Sequence, residues 1–379
     1  MRSYASALSR HPVAAQAVGE TAGEILEQLR DEPPDLVVAF ASTHHRGAFE
    51  DMARALHDIL QPGVLVGATA DTVVGDGREV EEEPALSLLA ARLPDVPLVP
   101  VCLQVAETPD GPAVVGWPEE GVGLSSLLLL ADPSSFPVDA VLTRVNDVLP
   151  GLTVIGGLTS AAAVRGSVRL TLDGEVVTGG AVGVFLGLDV RPVVSQGCRP
   201  IGQPFVVTRA EGTLLQELGG RRAVDRLQEL VGEASEAERA LMRGGLQLGI
   251  VVDEQRPEYG RGDFLVRSVV GADQEQGALA VAETVDVGRT VQFHVRDAAA
   301  ADEDLRASLA GEEAGAALLF TCNGRGRHLF DGPDHDADLV TRLLGRIPVA
   351  GCSCAGEIGP VAGRNLLHGF TASLALFPR

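Results

Sequence analysis

The chain has 379 residues, 45% hydrophobic but only 4% aromatic, and 52 acidic against 30 basic residues leave a net charge of −22. That length suits two domains with aliphatic, small-residue cores, and that charge argues against a nucleic-acid or anionic-membrane surface as partner. Every basic residue is arginine, which excludes chemistry built on a lysine amine, whether a Schiff base, pyridoxal phosphate or a Walker loop. Five cysteines (Cys102, Cys198, Cys322, Cys352 and Cys354) form no disulfide framework, so free thiols in a reducing cytoplasm are expected. The N-terminus lacks a signal-peptide core, and no run of about 18 apolar residues predicts a membrane span.

In chain order, residues 13–30 have helical spacing and stop at Pro33 and Pro34. DLVVAF reads as a strand that delivers Ser42, Thr43 and His44 to a loop, where His44 and His45 are expected to face solvent. A helix over FEDMARALHDIL, a strand over VLVGAT, an acidic loop with Glu81, Glu82 and Glu83, and a strand over PALSLLAARL follow. The same order recurs as LSSLLLLADP, PVDAVLTRVNDVL, LTVIGGLTS and GGAVGVFLGL, and again as AALLFTCNG, DHDADLVTRLL, PVAGCS and GFTASLALF. From strand to glycine the offset is 27 residues in the first two copies (Phe40 to Gly67, Leu130 to Gly157) and 31 in the third (Phe320 to Gly351). Each glycine opens a Gly-x-Thr/Ser: glycine permits close backbone approach, and the hydroxyls of Thr69, Thr159 and Ser353 can serve loop amides or a bound polar group.

Between the second and third copies, the three prolines of RPVVSQGCRPIGQPF predict a crossover near residues 191–204. A strand, a turn at Glu211 and Gly212, a second strand, a helical run and four alternating segments (LQLGIVV, FLVRSVVGAD, GALAVAETV, TVQFHVRD) then predict an antiparallel β-rich insertion. The fold expected is mixed α/β: repeated β-α-β-β blocks forming mixed sheets with flanking helices, plus that insertion.

The strings TLLQELGGRRAVDRLQEL, FLVRSVVGAD, GRTVQFHVRDA, CNGRGR and GCSCAGEIGPVAGRNLLHGFTASLALF resemble the FIST family, with residues 20–190 similar to its N-terminal and 195–379 to its C-terminal domain. The resemblance implies a sensory module for small ligands such as amino acids, of the kind found in bacterial signalling proteins and eukaryotic F-box adaptors. No receptor, kinase, cyclase or F-box stretch is visible. The expectation is therefore a stand-alone cytoplasmic ligand binder, not an enzyme, whose partners are an amino acid or carboxylate and a separate signalling output protein. An enzyme using Cys322, Cys352 and Cys354, or an interaction scaffold, are the alternatives.

For site residues, Arg325, Arg327, Arg364 and Asn365 follow strand ends or glycine loops, and guanidinium groups there suit a carboxylate; pairing with Asp331, Asp334 or Glu357 is the competing use. Glu357 could take an amino group, and Asn323 either caps its turn or meets the ligand. The expected ligand set is Asn323, Arg325, Ser353, Glu357, Arg364 and Asn365, with Thr69 and Thr159. Cys322, Cys352, Cys354 and His368 lack a standard metal spacing, and Cys322 with His328 or His368 lacks an orienting third group, so no metal or cofactor is expected. Arg267 and Asp297 are expected to link strands by charge-assisted bonds.

Overall fold

In a computed structural model that describes residues 2–109, 111–118, 123–161 and 166–379, the first block runs β1 (Ser3–Ser9), α1 (Ala14–Leu29), β2 (Leu36–Ser42), α2 (Phe49–Leu60), β3 (Val64–Ala70), a hairpin of β4 (Thr72–Gly75) and β5 (Arg78–Glu81), and β6 (Leu86–Arg92). β2 is buried along its whole length because its faces meet different layers. Leu36, Val38 and Phe40 enter one apolar cluster, while Val37, Ala39 and Ala41 enter another with Ile25 of α1 and Leu56 of α2. A strand covered on both faces reads as a continuous apolar run, as DLVVAF does. β1 escapes the sequence pattern because in SYASALS the inward positions are Ala5, Ala7 and Ser9, too small to signal a core strand.

The second block comprises β7 (Leu98–Thr108), β8 (Gly111–Val115), β9 (Ser126–Ala131), α3 (Val138–Val148), β10 (Thr153–Thr159), a hairpin of β11 (Leu170–Leu172) and β12 (Glu175–Val177), and β13 (Ala181–Leu186). After β14 (Arg191–Gln196) come the insertion's β15 (Cys198–Glu211), β16 (Leu214–Leu218), β17 (Arg221–Arg222), α4 (Ala223–Glu233), α5 (Glu236–Arg243), β18 (Leu246–Val251), β19 (Phe264–Asp273), β20 (Ala278–Val281), β21 (Thr290–Arg296) and α6 (Ala298–Leu309). The third block closes the chain with β22 (Ala316–Cys322), α7 (His335–Leu344), β23 (Val349–Val361), β24 (Arg364–His368) and β25 (Thr371–Phe377). Two compact units result: one holds the chain up to Val194 with Arg306–Leu367 and Thr371–Arg379, the other Ser195–Leu305 with His368–Phe370.

Within the first unit the threefold repeat is explicit. Strands β1-β6-β2-β3, β7-β13-β9-β10 and β14-β25-β22-β23 lie in the same lateral order. Each block has a helix-linked parallel pair (β2/β3, β9/β10, β22/β23), and its return strand runs antiparallel to the first member. The repeated glycine is a matter of close approach. A Cβ on Gly67 would lie 2.4 Å from the Ala39 carbonyl oxygen, and one on Gly351 would lie 1.9 Å from that of Leu319. In the second block it is Gly156 that faces its parallel neighbour, 1.9 Å from the Leu129 oxygen, while Gly157 makes room for Cys354 Sγ.

The blocks are tied together by a cyclic exchange of hairpins. β4 of the first pairs with β23 of the third, Cys354–Ile358 of β23 pairs with β10 of the second, and β11 of the second pairs with β3 of the first. The third block thus shares one sheet with the second through β10 and β23.

In the second unit the sheet order is β15-β21-β18-β19-β20-β16, and β16 pairs back onto β15, closing an antiparallel ring of six strands without free edges. Its core is Leu248, Phe293, Val291 and Leu215, with Val224 of α4. Residues 191–204 differ from the expected crossover: they lie mostly in β14 and β15, and Pro204 falls in the register break between Ile201 and Phe205, where no ladder donor is required. The long helical run divides into α4 and α5 at Ser235, whose Oγ accepts the Glu238 N–H at 3.2 Å in a capping box. Arg267 bonds Glu283 at 3.0 Å and Asp297 bonds Arg199 at 2.7 Å, the strand-linking roles expected of them.

Candidate functional site

The three Gly-x-Thr/Ser stretches converge. Thr159 Oγ1 donates to the Thr69 carbonyl, Ser160 Oγ accepts the Asp71 N–H at 2.8 Å and bonds Ser353 Oγ at 2.8 Å, and Ser353 Oγ also accepts the Thr72 N–H at 3.0 Å. The hydroxyls of Thr159 and Ser160 at the end of β10 and of Ser353 within β23 therefore stitch the blocks together. Beside this junction a cavity of about 490 Å³ opens at the carboxyl end of β22, between it, Ser353 of β23 and the β4–β5 hairpin. Strand ends of this kind are where open α/β sheets present ligand groups. A roomier hollow of about 710 Å³ beside Trp117, Val148 and Leu149 is lined mainly by apolar side chains and lacks such a convergent polar set.

Arg325 is the anchor of the smaller cavity. It is 2% exposed, and it is held by Asp336 at the start of α7, Nε to Oδ2 at 2.6 Å and Nη2 to Oδ1 at 2.8 Å. Asp336 further accepts from Thr321 Oγ1 at 3.1 Å and meets His335 Nδ1 at 3.0 Å. Burial alone would raise the Asp336 carboxyl, but the adjoining Arg325 guanidinium overrides it and holds Asp336 well below the usual carboxylate range. The Phe330 ring lies 5.3 Å from the guanidinium carbon and stacks on His335 at 3.5 Å. Arg325 Nη1 is buried without a hydrogen-bond partner.

Facing it is Glu79 on β5, 3% exposed, with both carboxyl oxygens buried and unpartnered. Burial first, and the Asp336 charge second, push its carboxyl well above the ordinary value. Asp334 Oδ1 accepts the Glu79 backbone N–H at 2.7 Å, and Glu81 Oε1 accepts the Arg327 N–H at 3.2 Å, so the hairpin and the turn after β22 are held face to face.

Of the expected ligand set, Asn323, Arg325 and Ser353 line this cavity. The Asn323 N–H donates to the Cys354 carbonyl at 2.8 Å, and its Oδ1 accepts from Cys322 Sγ at 3.7 Å. The Thr69 and Thr159 hydroxyls serve backbone groups: Thr69 Oγ1 accepts the Arg169 N–H at 3.2 Å. Glu357 is buried, with Oε2 accepting from Thr371 N and Oγ1 at 3.1 and 2.7 Å; burial raises its carboxyl to about 8. Asn365 bridges to Asn146, the Leu152 carbonyl and the Val154 N–H, fastening β24 to the start of β10, and Arg364 is exposed at the start of β24. Arg325 pairs with Asp336, not with Asp331, Asp334 or Glu357. His45, expected to face solvent, is 3% exposed, because the turn after β2 folds it inward; burial lowers its basicity.

Sequence reasoning missed Glu79, Asp71 and Asp336. The signal for the first was available in VVGDGREV: Asp76 and Gly77 both have positive φ (48° and 68°), the two-residue Asp-Gly turn of a hairpin. The thiols are all free; Cys322 Sγ accepts the Gly324 N–H at 3.4 Å, and a bond with Cys352, then burial, push the Cys354 thiol well above its ordinary value. Among the described residues no group of three His, Cys, Asp or Glu is arranged to hold a metal, and no helix is long and apolar enough to cross a membrane.

Comparison with known proteins agrees with the sequence pattern. The chain is 46% identical over 374 residues to uncharacterized protein Mb0898c of Mycobacterium bovis, covering 97% of this chain and 96% of that one. It is also 46% identical over 378 residues to uncharacterized protein Rv0628c of Mycobacterium tuberculosis, covering 98% of each. The FIST N domain matches residues 35–221 and the FIST C domain residues 223–360, so the chain belongs to the FIST family, whose domains serve sensory and signal-transduction roles.

Proposed function

We propose that this protein is a cytoplasmic sensor that binds a small polar molecule of the amino-acid or carboxylate class in the cavity between β5, the end of β22 and Ser353 of β23, and signals through a separate output protein. One observation carries the reading: Arg325 Nη1 and both Glu79 oxygens are buried at that cavity without partners. Each unpaired buried polar group costs about 1–3 kcal/mol, a deficit that a ligand's carboxylate and ammonium would relieve. Binding rather than catalysis is favoured by a Cys322 thiol engaged within its own turn and a Cys354 thiol held in its neutral form. Five free thiols fit a reducing compartment.

The test is thermal unfolding of the full chain with the twenty amino acids and a set of small carboxylates. A ligand at 100 times its dissociation constant is expected to add about 2.7 kcal/mol of stability, and Asn323→Ala, at the rim, is expected to weaken it. Well-folded protein that no compound in the set stabilises would overturn the reading.

A further inference from the structure

The charge around the cavity is lopsided. Four acidic side chains line it, Asp71, Glu79, Glu81 and Glu82, against one guanidinium, Arg325, and two imidazoles, His44 and His328. That guanidinium is already matched by Asp336 through two hydrogen bonds. The remaining field is negative, and at its deep end stands a carboxyl group, Glu79, with neither oxygen hydrogen-bonded. Resting on the proposed binding role, we infer that Glu79 is the receptor for a cationic nitrogen, so that the cavity selects a basic amino acid over a neutral or acidic one, and that Glu79 releases its proton to solvent as the cation enters.

The groups facing Glu79 explain why the two events are joined. Asp336 and Asp334 approach from the start of α7, Arg325 from the turn after β22, and Glu81 from its own hairpin; of these Arg325 alone favours the charged form. Arg10, Arg78 and Arg327 lie on the outer side of the hairpin, about a smaller hollow of about 120 Å³ that Glu79 and Glu81 also border. Without a ligand these surroundings therefore favour the neutral form of the buried carboxyl. A cationic nitrogen against it supplies the charge that Arg325, committed to Asp336, does not. Arg325 Nη1 remains for the ligand's carboxylate, which orients the molecule with its positive groups toward Asp71, Glu79 and Glu81. One proton leaves Glu79 for each cation bound, so affinity rises with pH while the ligand-free carboxyl is protonated.

Titration calorimetry with L-arginine, L-lysine, L-leucine and L-glutamate, each in two buffers of different ionisation enthalpy, tests this. L-arginine or L-lysine is expected to bind at least about tenfold more tightly than the other two, with release of about one proton. Glu79→Gln, which keeps the neutral shape, is expected to abolish both the preference and the proton release. The inference is overturned if L-leucine or L-glutamate binds as well as the basic pair, if the wild type releases no proton, or if the folded variant keeps wild-type affinity. The wild-type proton count decides the matter even where the variant does not fold. Binding of L-leucine or L-glutamate alone sinks this inference and leaves the proposed function standing; no binding by any of the four or by the wider set sinks both.

Discussion

The turns after β9 and β22 occupy the same place in two copies of one block, and their polar groups are treated differently. After β9, Asp132 is complete: its carboxylate accepts from Ser134 N at 2.9 Å, Ser134 Oγ at 2.8 Å and Ser135 Oγ at 2.7 Å, and Ser135 Oγ in turn accepts the Gly180 N–H at 2.8 Å. After β22, Arg325 is just as buried and just as firmly paired, yet Nη1 and the opposing Glu79 are left without partners beside open space. A buried polar group with every bond made is a fastening; one with bonds missing beside a cavity keeps capacity for a further partner. The scaffold is shared, so the difference lies in the side chains placed on it.

Breaking the two turns separates the roles. Asp336→Ala leaves the Arg325 charge buried and unmatched, and is expected to cost about 3–5 kcal/mol in denaturant unfolding. A smaller effect comes from the strand across from the repeated glycine, where Thr171 faces Gly67, Val74 faces Gly351 and Glu357 faces Gly157. Burial lifts the Glu357 carboxyl from 4.5 to about 8, so the folded state holds this proton more strongly than the unfolded chain does. Stability contributed by the neutral form is complete below about 4.5, falls as pH rises, and is gone above about 8. Glu357→Gln, which still accepts from Thr371, is expected to remove that slope and gain on the order of 1 kcal/mol or more at pH 9; an unchanged pH profile would sink the assignment. Asp132→Ala is expected to cost about 1–2 kcal/mol of stability with amino-acid binding untouched. A loss of binding there would erase the distinction between the two turns.

The sequence displays the β-α-β-β order because its parallel strands are covered on both faces and its helices are amphipathic, and both patterns are local. The repeat also has a second mark that hydrophobicity does not show: Asp76-Gly77, Asp173-Gly174 and Ala362-Gly363 all take positive φ at hairpin tips. Read as an acidic loop, the first of these conceals β4, β5 and Glu79. Arg325 stands out in CNGRGR, but its partner Asp336 lies in a helix whose other acid, Asp338, looks equivalent; only the turn that brings α7 back over β22 selects it. The hydroxyls of Thr69 and Thr159 illustrate the converse limit. Their spacing is regular, and regularity is what a tie between repeats requires, whereas Glu79 and Arg325 have no counterpart at matching positions.

The cyclic exchange of hairpins has a consequence for how the protein comes into being. Thr72 N–H reaches Ser353 Oγ across 281 residues, and Glu79 N–H reaches Asp334 Oδ1 across 255. While the chain is being synthesised, β4 and β5 emerge long before β23, the strand that β4 pairs with outside its own hairpin. Pairings of such separation form slowly and late. The cavity lined by Glu79, Arg325 and Ser353 is therefore completed only after β23 has been made and paired.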